Sequence, residues 1–309
     1  MGTIVQLKVY GENAEKATEK ALKRVSEIES KMSVNIETSE ISKINAKAGI
    51  SEQKLSEDTY SVLEKAVEYS KLTEGAFDPT IEPIVKLWGI GTDTERVPSK
   101  EEISGKLKLV DYKDIIFNEK NSTVMLKRTG QAVDLGAIAK GYTADEIKKI
   151  LLDNKITSAI INLGGNVYAM GKKLDGTNWN IGIQNPITDR GEYLGTVSIS
   201  DKSVVTSGNY ERFFIADGKR YHHIFDTKNG YPSENGIISS TIISDTSIDG
   251  DALSTSTYVM GVEKALTLIE SMNGVDAIFV TSDKKVYVTA GLKSIFNLTD
   301  KGFIYEEGR

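Results

Sequence analysis

The sequence predicts an α+β fold with mainly antiparallel sheets and packed helices. Three observations lead there. Segments with helical three-and-four spacing and segments with strand-like patterns interleave along 309 residues. They do so without the regular strand–helix–strand period of a doubly wound parallel sheet. Between 158 and 215 several short strand patterns follow one another, and the composition, 39% hydrophobic and 27% charged, is ordinary for a globular chain.

Thr3–Tyr10 alternates apolar and polar residues and reads as a first strand. Ala14, Ala17, Ala21, Val25, Ile28 and Met32 then mark one face of a long helix. A short helix is expected over 39–46, capped by Ser39, and another over 56–72. Gly75-Ala76-Phe77-Asp78-Pro79-Thr80 breaks the pattern, Ile81–Trp88 forms a further short helix, and Gly91–Lys100 is loop. Ile115–Phe117 and Val124–Leu126 form a hairpin. A helix over 139–152 precedes strands at 158–162, 167–170, 179–183, 193–199, 203–206, 212–215 and 237–243. Helices over 250–259 and 262–272 follow, then strands at 277–280 and 285–288. No repeat or low-complexity linker marks a boundary, so residues 1–309 are expected to form a single domain.

Composition excludes several classes. The net charge of −6, with both signs interspersed, does not suit a nucleic-acid face. No apolar run approaches the roughly 18 residues that span a bilayer, and Met1-Gly2 leads straight into the first strand rather than into a signal-peptide pattern. With no cysteine and two histidines, thiolate and His-rich zinc sites are excluded. A metal here would be a hard cation held by oxygens.

Two segments more than a hundred residues apart suggest such a site. In Asp249-Gly250-Asp251-Ala252-Leu253-Ser254-Thr255, Asp251 and Thr255 stand four apart and share a helix face, where carboxylate and hydroxyl can reach one cation. The plainer reading is an acid in a first helical turn and a packed threonine. In Asp134-Leu135-Gly136-Ala137-Ile138-Ala139-Lys140-Gly141-Tyr142, a glycine turn leads into a helix. The Ala137 carbonyl can face a metal, and Lys140 beside free backbone N–H groups suits a phosphate. A surface lysine at a helix start is the alternative. Gly164 and Gly165, at a strand end, either admit a ligand to the backbone or form a plain turn. Phe77 and Asp78 either hold a flat heterocycle or are a core aromatic and a helix-start acid. His222-His223-Ile224-Phe225-Asp226 holds the only histidines; either is a base near a carboxylate or a buried structural group.

In this order the segments resemble the ApbE family, the FAD:protein FMN transferases. The resemblance runs through Met32-Ser33, Ser39-Glu40-Ile41 to Asn45, Gly75–Thr80 with Leu87-Trp88-Gly89, and Asp134–Tyr142. It continues through Ile161–Asn166, Thr206-Ser207-Gly208-Asn209-Tyr210, His223-Ile224 with Asp226, and Asp251–Thr255. It implies an ApbE-type flavin transferase fold and Mg²⁺-dependent transfer of FMN from FAD to a threonine hydroxyl of an acceptor protein, with release of AMP. It further implies that Ala137, Asp251 and Thr255 hold Mg²⁺, and that Met32, Asn45, Ala76, Phe77, Asp78 and Lys140, with Gly164 and Gly165, bind FAD. His223 would be the base on the acceptor hydroxyl. Where the family has Asp-Pro-x-Thr-Gly, this chain has Asp226-Thr227-Lys228-Asn229-Gly230, which puts the rigidity of that loop in question. By the same resemblance the expected location is extracytoplasmic, membrane-anchored through a lipid signal not found in this chain. Two other functions use the same residues: an FAD pyrophosphatase yielding FMN and AMP, and a flavin-binding protein that leaves FAD intact.

Overall fold

In this computed structural model, which describes residues 2–307, the chain adopts the expected α+β class. It packs as two compact units, each assembled from separate stretches of chain. The first comprises 27–139 and 209–233; the second comprises 2–26, 140–208 and the chain from 234 onward. No linker composition marks the crossings.

In the first unit, short helices surround small sheets. Ser39 caps the helix Glu40–Ala46 by accepting from the Ser42 N–H. Glu57–Leu72 and Glu82–Trp88 follow, and Gly89 ends the latter in the left-handed region. The helix Lys100–Leu107 has no counterpart in the sequence expectations. Ser99 and Glu102 form a reciprocal capping box there, the pattern that would have revealed it. Ile115–Asn118 and Thr123–Leu126 form the expected hairpin, extended by Gln53–Lys54. A second hairpin pairs Phe213–Ala216 with Lys219–His222. Its turn residues Asp217 and Gly218 both have positive φ, the geometry that Asp-Gly favours between strands. Trp88 is fully buried among Ile84, Ile103 and Phe225, and its indole N–H donates to the Gly230 carbonyl at 2.9 Å.

The second unit is built on an eight-stranded sheet. In spatial order its strands are Val5–Tyr10, Ser158–Leu163, Asn166–Met170, Lys202–Gly208, Ile237–Ser244, Asp276–Thr281, Lys285–Val288 and Ile304–Glu307. Every neighbouring pair is antiparallel except the last, which is parallel. One face of the sheet packs on a three-stranded sheet, Trp179–Gln184, Tyr193–Ile199 and Phe296–Leu298, through Val204, Ile243, Ile278 and Val280. Alternation sends Ser203, Val205 and Ser207 of Lys202–Gly208, and Ser240, Ile242 and Ser244 of Ile237–Ser244, to the opposite face. These are mostly serines, and the helix Ser247–Met260 lies against them. The small side chains let this helix come close: a Cβ added to Gly250 would stand 2.8 Å from the Val205 side chain. The helix starts three residues before the expected Gly250, so Asp251 lies in its second turn rather than its first.

Candidate functional site

The candidate residues fall into both units. Lys140, Gly164, Gly165, Asp251 and Thr255 belong to the second; Met32, Asn45, Ala76, Phe77, Asp78, Ala137 and His223 belong to the first.

In the second unit, the helices Ala139–Asp153 and Ser247–Met260 meet at Gly141. A Cβ there would lie 2.3 Å from the Ser247 carbonyl oxygen, so only glycine permits this approach. The contact brings Asp251, 3% exposed, against the other helix's first turn. Its Oδ1 pairs with Lys140 Nζ at 2.9 Å, and its Oδ2 accepts from the Gly141 N–H at 2.9 Å. The reading of Asp251 as a simple first-turn acid therefore does not describe it. It is a buried carboxylate held by a lysine and a helix-start amide 110 positions away. Thr255 lies one turn on. From Asp251 to Tyr258 every residue is buried except Thr255, which is half-buried. A second acid that sequence reasoning did not single out, Asp145, accepts from the Ser247 and Ile248 N–H groups at 2.8 and 2.9 Å. It supplies the cap that Thr246 does not. Burial pushes its carboxyl up to about 6, outweighing those two bonds.

Among the described residues, no three His, Asp or Glu side chains gather as a metal cluster. A cation at Asp251 would rest on one carboxylate, the Thr255 hydroxyl, and backbone, substrate or water oxygens. That sparse all-oxygen set is the kind magnesium accepts, so the donor chemistry fits. Gly164 and Gly165, with φ of 62° and 94°, form the tight turn joining Ser158–Leu163 to Asn166–Met170. The Asn162 side chain accepts from the Gly165 N–H at 2.9 Å.

In the first unit, Met32, Ala76 and Phe77 are buried. Asp78 caps a short 3-10 turn, Pro79–Ile81. Its Oδ1 accepts from the Thr80 N–H and hydroxyl at 2.8 and 2.6 Å, and its Oδ2 from the Tyr112 N–H at 2.9 Å. Burial is the largest influence and raises its carboxyl to about 6, against those hydrogen bonds. The helix-start role weighed for Asp78 is thus realised, and the same bonds fix the Ala76-Phe77 turn. The Asn45 side chain donates to the Val133 carbonyl at 2.9 Å and accepts from the Val133 N–H at 2.8 Å. It clamps the chain just before Asp134, whose N–H donates to the Pro79 carbonyl at 2.8 Å and whose Oδ1 accepts from the Gly136 N–H at 2.8 Å. Ala137 follows in that turn, half-buried. Glu82, which the sequence did not bring forward, is 2% exposed, and its Oε2 has no hydrogen-bond partner. Burial first, and then Asp134, push its carboxyl up to about 7.

The adjacent histidines differ in kind. His222 is 4% exposed. Its Nε2 lies 3.1 Å from the Ser233 carbonyl, and its Nδ1 accepts from the Ile224 N–H at 3.3 Å. Both nitrogens serve the backbone. His223 is half-buried, and its Nδ1 lies 3.1 Å from the Arg212 carbonyl. A carbonyl only accepts, so Nδ1 carries the proton and Nε2 of the neutral ring is the basic atom. The hairpin Phe213–His222 returns the chain so that Arg212 faces His223. The loop that lacks the family's proline is held another way. Asp226 Oδ1 and Oδ2 accept from the Lys228 N–H and the Asn229 amide at 2.9 and 2.8 Å, while Asn229 accepts from the Tyr231 N–H at 2.8 Å. The Thr227 hydroxyl donates to the Gly75 carbonyl at 2.6 Å.

Comparison with known proteins agrees over nearly the full length. Residues 1–279 match the model of the ApbE family. An FAD:protein FMN transferase of Klebsiella pneumoniae is 36% identical over 303 residues, covering 98% of this chain and 94% of that protein. One of Treponema pallidum is 36% identical over 323 residues, covering 99% and 89%. Among solved structures, the ApbE protein of Thermotoga maritima superposes with a TM-score of 0.87 at 33% identity, covering 96% of this chain and 99% of its own. The flavin transferase ApbE of Vibrio cholerae gives 0.85 at 27%, covering 96% of each. The chain belongs to the ApbE family.

Proposed function

We propose that this protein transfers the FMN half of FAD to a threonine hydroxyl of an acceptor protein, releasing AMP, with Mg²⁺ bound. The observation that carries this reading is the buried Asp251 carboxylate, set between Lys140 and the Gly141 amide with the Thr255 hydroxyl one turn away. A cation and a phosphate both find complementary groups there: oxygens for the first and the Lys140 ammonium for the second. Asp251 and Thr255 would hold the metal, and family likeness adds the Ala137 carbonyl. Bound Mg²⁺ would supply charge neutralisation for the pyrophosphate. Met32, Asn45, Ala76, Phe77, Asp78, Gly164 and Gly165 are proposed for the FAD site. Asn45 and Asp78 would act through the backbone they hold, since their side chains are committed to Val133, Thr80 and Tyr112.

The enzyme needs no Cys or Ser nucleophile of its own, because the acceptor's threonine supplies the attacking oxygen. It bonds to the FMN phosphorus as the bond from that phosphorus to the bridging oxygen breaks, and AMP leaves with that oxygen. The hydroxyl proton passes to Nε2 of His223, the nitrogen that the Arg212 carbonyl leaves unprotonated. As in the family, the protein is proposed to work outside the cytoplasm; no helix of the described residues is long and apolar enough to cross a membrane.

The test is FMN attachment to a threonine-bearing acceptor, followed by mass spectrometry with FAD and Mg²⁺ saturating. His223→Ala should slow attachment by roughly 10²–10⁴-fold, the usual range for one acid–base group, with FAD affinity little changed. Free FMN and AMP without attachment would instead mark a pyrophosphatase, and FAD recovered intact would mark a binding protein.

A further inference from the structure

Four successive residues, Ser254-Thr255-Ser256-Thr257, carry hydroxyls on the helix Ser247–Met260. Three of them donate to carbonyls of their own helix: Ser254 to Asp251 at 3.0 Å, Ser256 to Ala252 at 2.6 Å and Thr257 to Leu253 at 2.6 Å. Thr255 is the exception. Its hydroxyl lies 3.3 Å from Ser207 Oγ on the strand Lys202–Gly208 rather than against a carbonyl of its own helix. Ser207 Oγ in turn lies 2.8 Å from Ser254 Oγ.

These contacts have one consistent proton order. A backbone carbonyl only accepts, and each hydroxyl has one proton. Ser254 spends its proton on the Asp251 carbonyl, so it accepts from Ser207. Ser207 spends its proton on Ser254, so it accepts from Thr255. We infer that Ser207 is a positioning residue: it takes the Thr255 proton and so leaves the Thr255 oxygen lone pairs facing away from the sheet, ready for a cation. The chain of hydroxyls begins at one proposed ligand, Thr255, and ends on the backbone of the other, Asp251. Removing Ser207 Oγ frees the Thr255 hydroxyl to rotate and to back-bond along its helix.

This inference rests on Thr255 being a metal ligand, and the experiment separates the two ideas. Mn²⁺ is titrated into the full chain, and free Mn²⁺ is read by electron paramagnetic resonance. Ser207→Ala should weaken Mn²⁺ binding by about 10–100-fold, the effect of removing a hydrogen-bond partner from a metal ligand. Ser207→Thr, which restores the hydroxyl, should recover most of the loss. Thr255→Val is measured beside them. If Thr255→Val weakens binding and Ser207→Ala does not, the positioning role is overturned while the metal site stands. If Thr255→Val leaves binding unchanged, Thr255 is no ligand and both ideas fall. Should Ser207→Ala fail to fold by circular dichroism, Ser254→Ala carries the test. It releases the Ser207 proton toward Thr255, so Mn²⁺ affinity should fall severalfold; unchanged affinity would overturn the proton order.

Discussion

Glu82 is a buried acid at the start of its helix, with one oxygen left without a hydrogen-bond partner. Lys86, 64% exposed at the side chain, gives it only a rim contact at 3.2 Å. Its folded value of about 7 lies above its ordinary 4.5. A carboxyl raised in this way contributes its full stability below 4.5 and loses it as pH rises through 7, because the ionised form is the poorly solvated one. Glu82→Gln should therefore match wild type near pH 4 and exceed it near pH 8 by about 1–3 kcal/mol, taking 1.36 kcal/mol per unit as an upper guide. Guanidinium unfolding at the two pH values measures this; an unchanged difference would mean that Glu82 is solvated in the folded protein. Nothing in the sequence distinguishes Glu82 from the other acids near helix starts. Its burial comes from what packs over it. The two adjacent histidines teach the same lesson, since only the fold assigns one to the Ser233 carbonyl and the other to Arg212.

The helix Ser247–Met260 shows how an element is held from outside. Its N-cap residue Thr246 makes no side-chain cap bond, and the Asp145 carboxylate accepts from the first two N–H groups instead. Asp145→Ala should cost about 1–2 kcal/mol, the upper range for losing a cap, seen as a lower denaturation midpoint at neutral pH. The same helix carries Asp251 and Thr255, so Mn²⁺ affinity should fall with it. An unchanged midpoint would mean that water replaces the carboxylate without loss. Most helices were legible from spacing, and Ser39 from its position before the apolar run. The helix Lys100–Leu107 was missed because it is short and mostly polar, although its Ser99–Glu102 capping box stood in the sequence. The strand Lys219–His222 was missed because its outer residues are charged; the Asp217-Gly218 pair was the available signal.

For the molecule as a whole, ligand binding should appear as stability. A ligand at a hundred times its dissociation constant adds about 2.7 kcal/mol to a fold it binds only when folded. FAD and Mg²⁺ together should raise the melting temperature above FAD alone. In Asp251→Asn, which retains an oxygen for the Gly141 amide, the Mg²⁺ increment should vanish while the FAD increment persists. Equal Mg²⁺ increments in both proteins would take Asp251 out of the metal site. The chain's division into two units was not visible as a boundary. Each unit gathers segments far apart in sequence: two crossings fall within helices, one at the end of the strand Lys202–Gly208, and one, Ser233 to Glu234, in the loop before Ile237.

By itself, the sequence determined the class of fold, most of the run of helices and strands, the exclusion of thiolate chemistry and the family motifs in their order. These follow from local periodicity, composition and short patterns, which neighbouring residues fix among themselves. Tertiary structure decided which groups meet: Lys140 and Gly141 with Asp251, Asp145 with the start of Ser247–Met260, Arg212 with His223, and Ser207 with Ser254 and Thr255. It decided them because a carboxylate's charge, an imidazole's tautomer and a hydroxyl's proton direction depend on burial and on partners from other elements. Those partners arrive only when the helices and sheets close on one another.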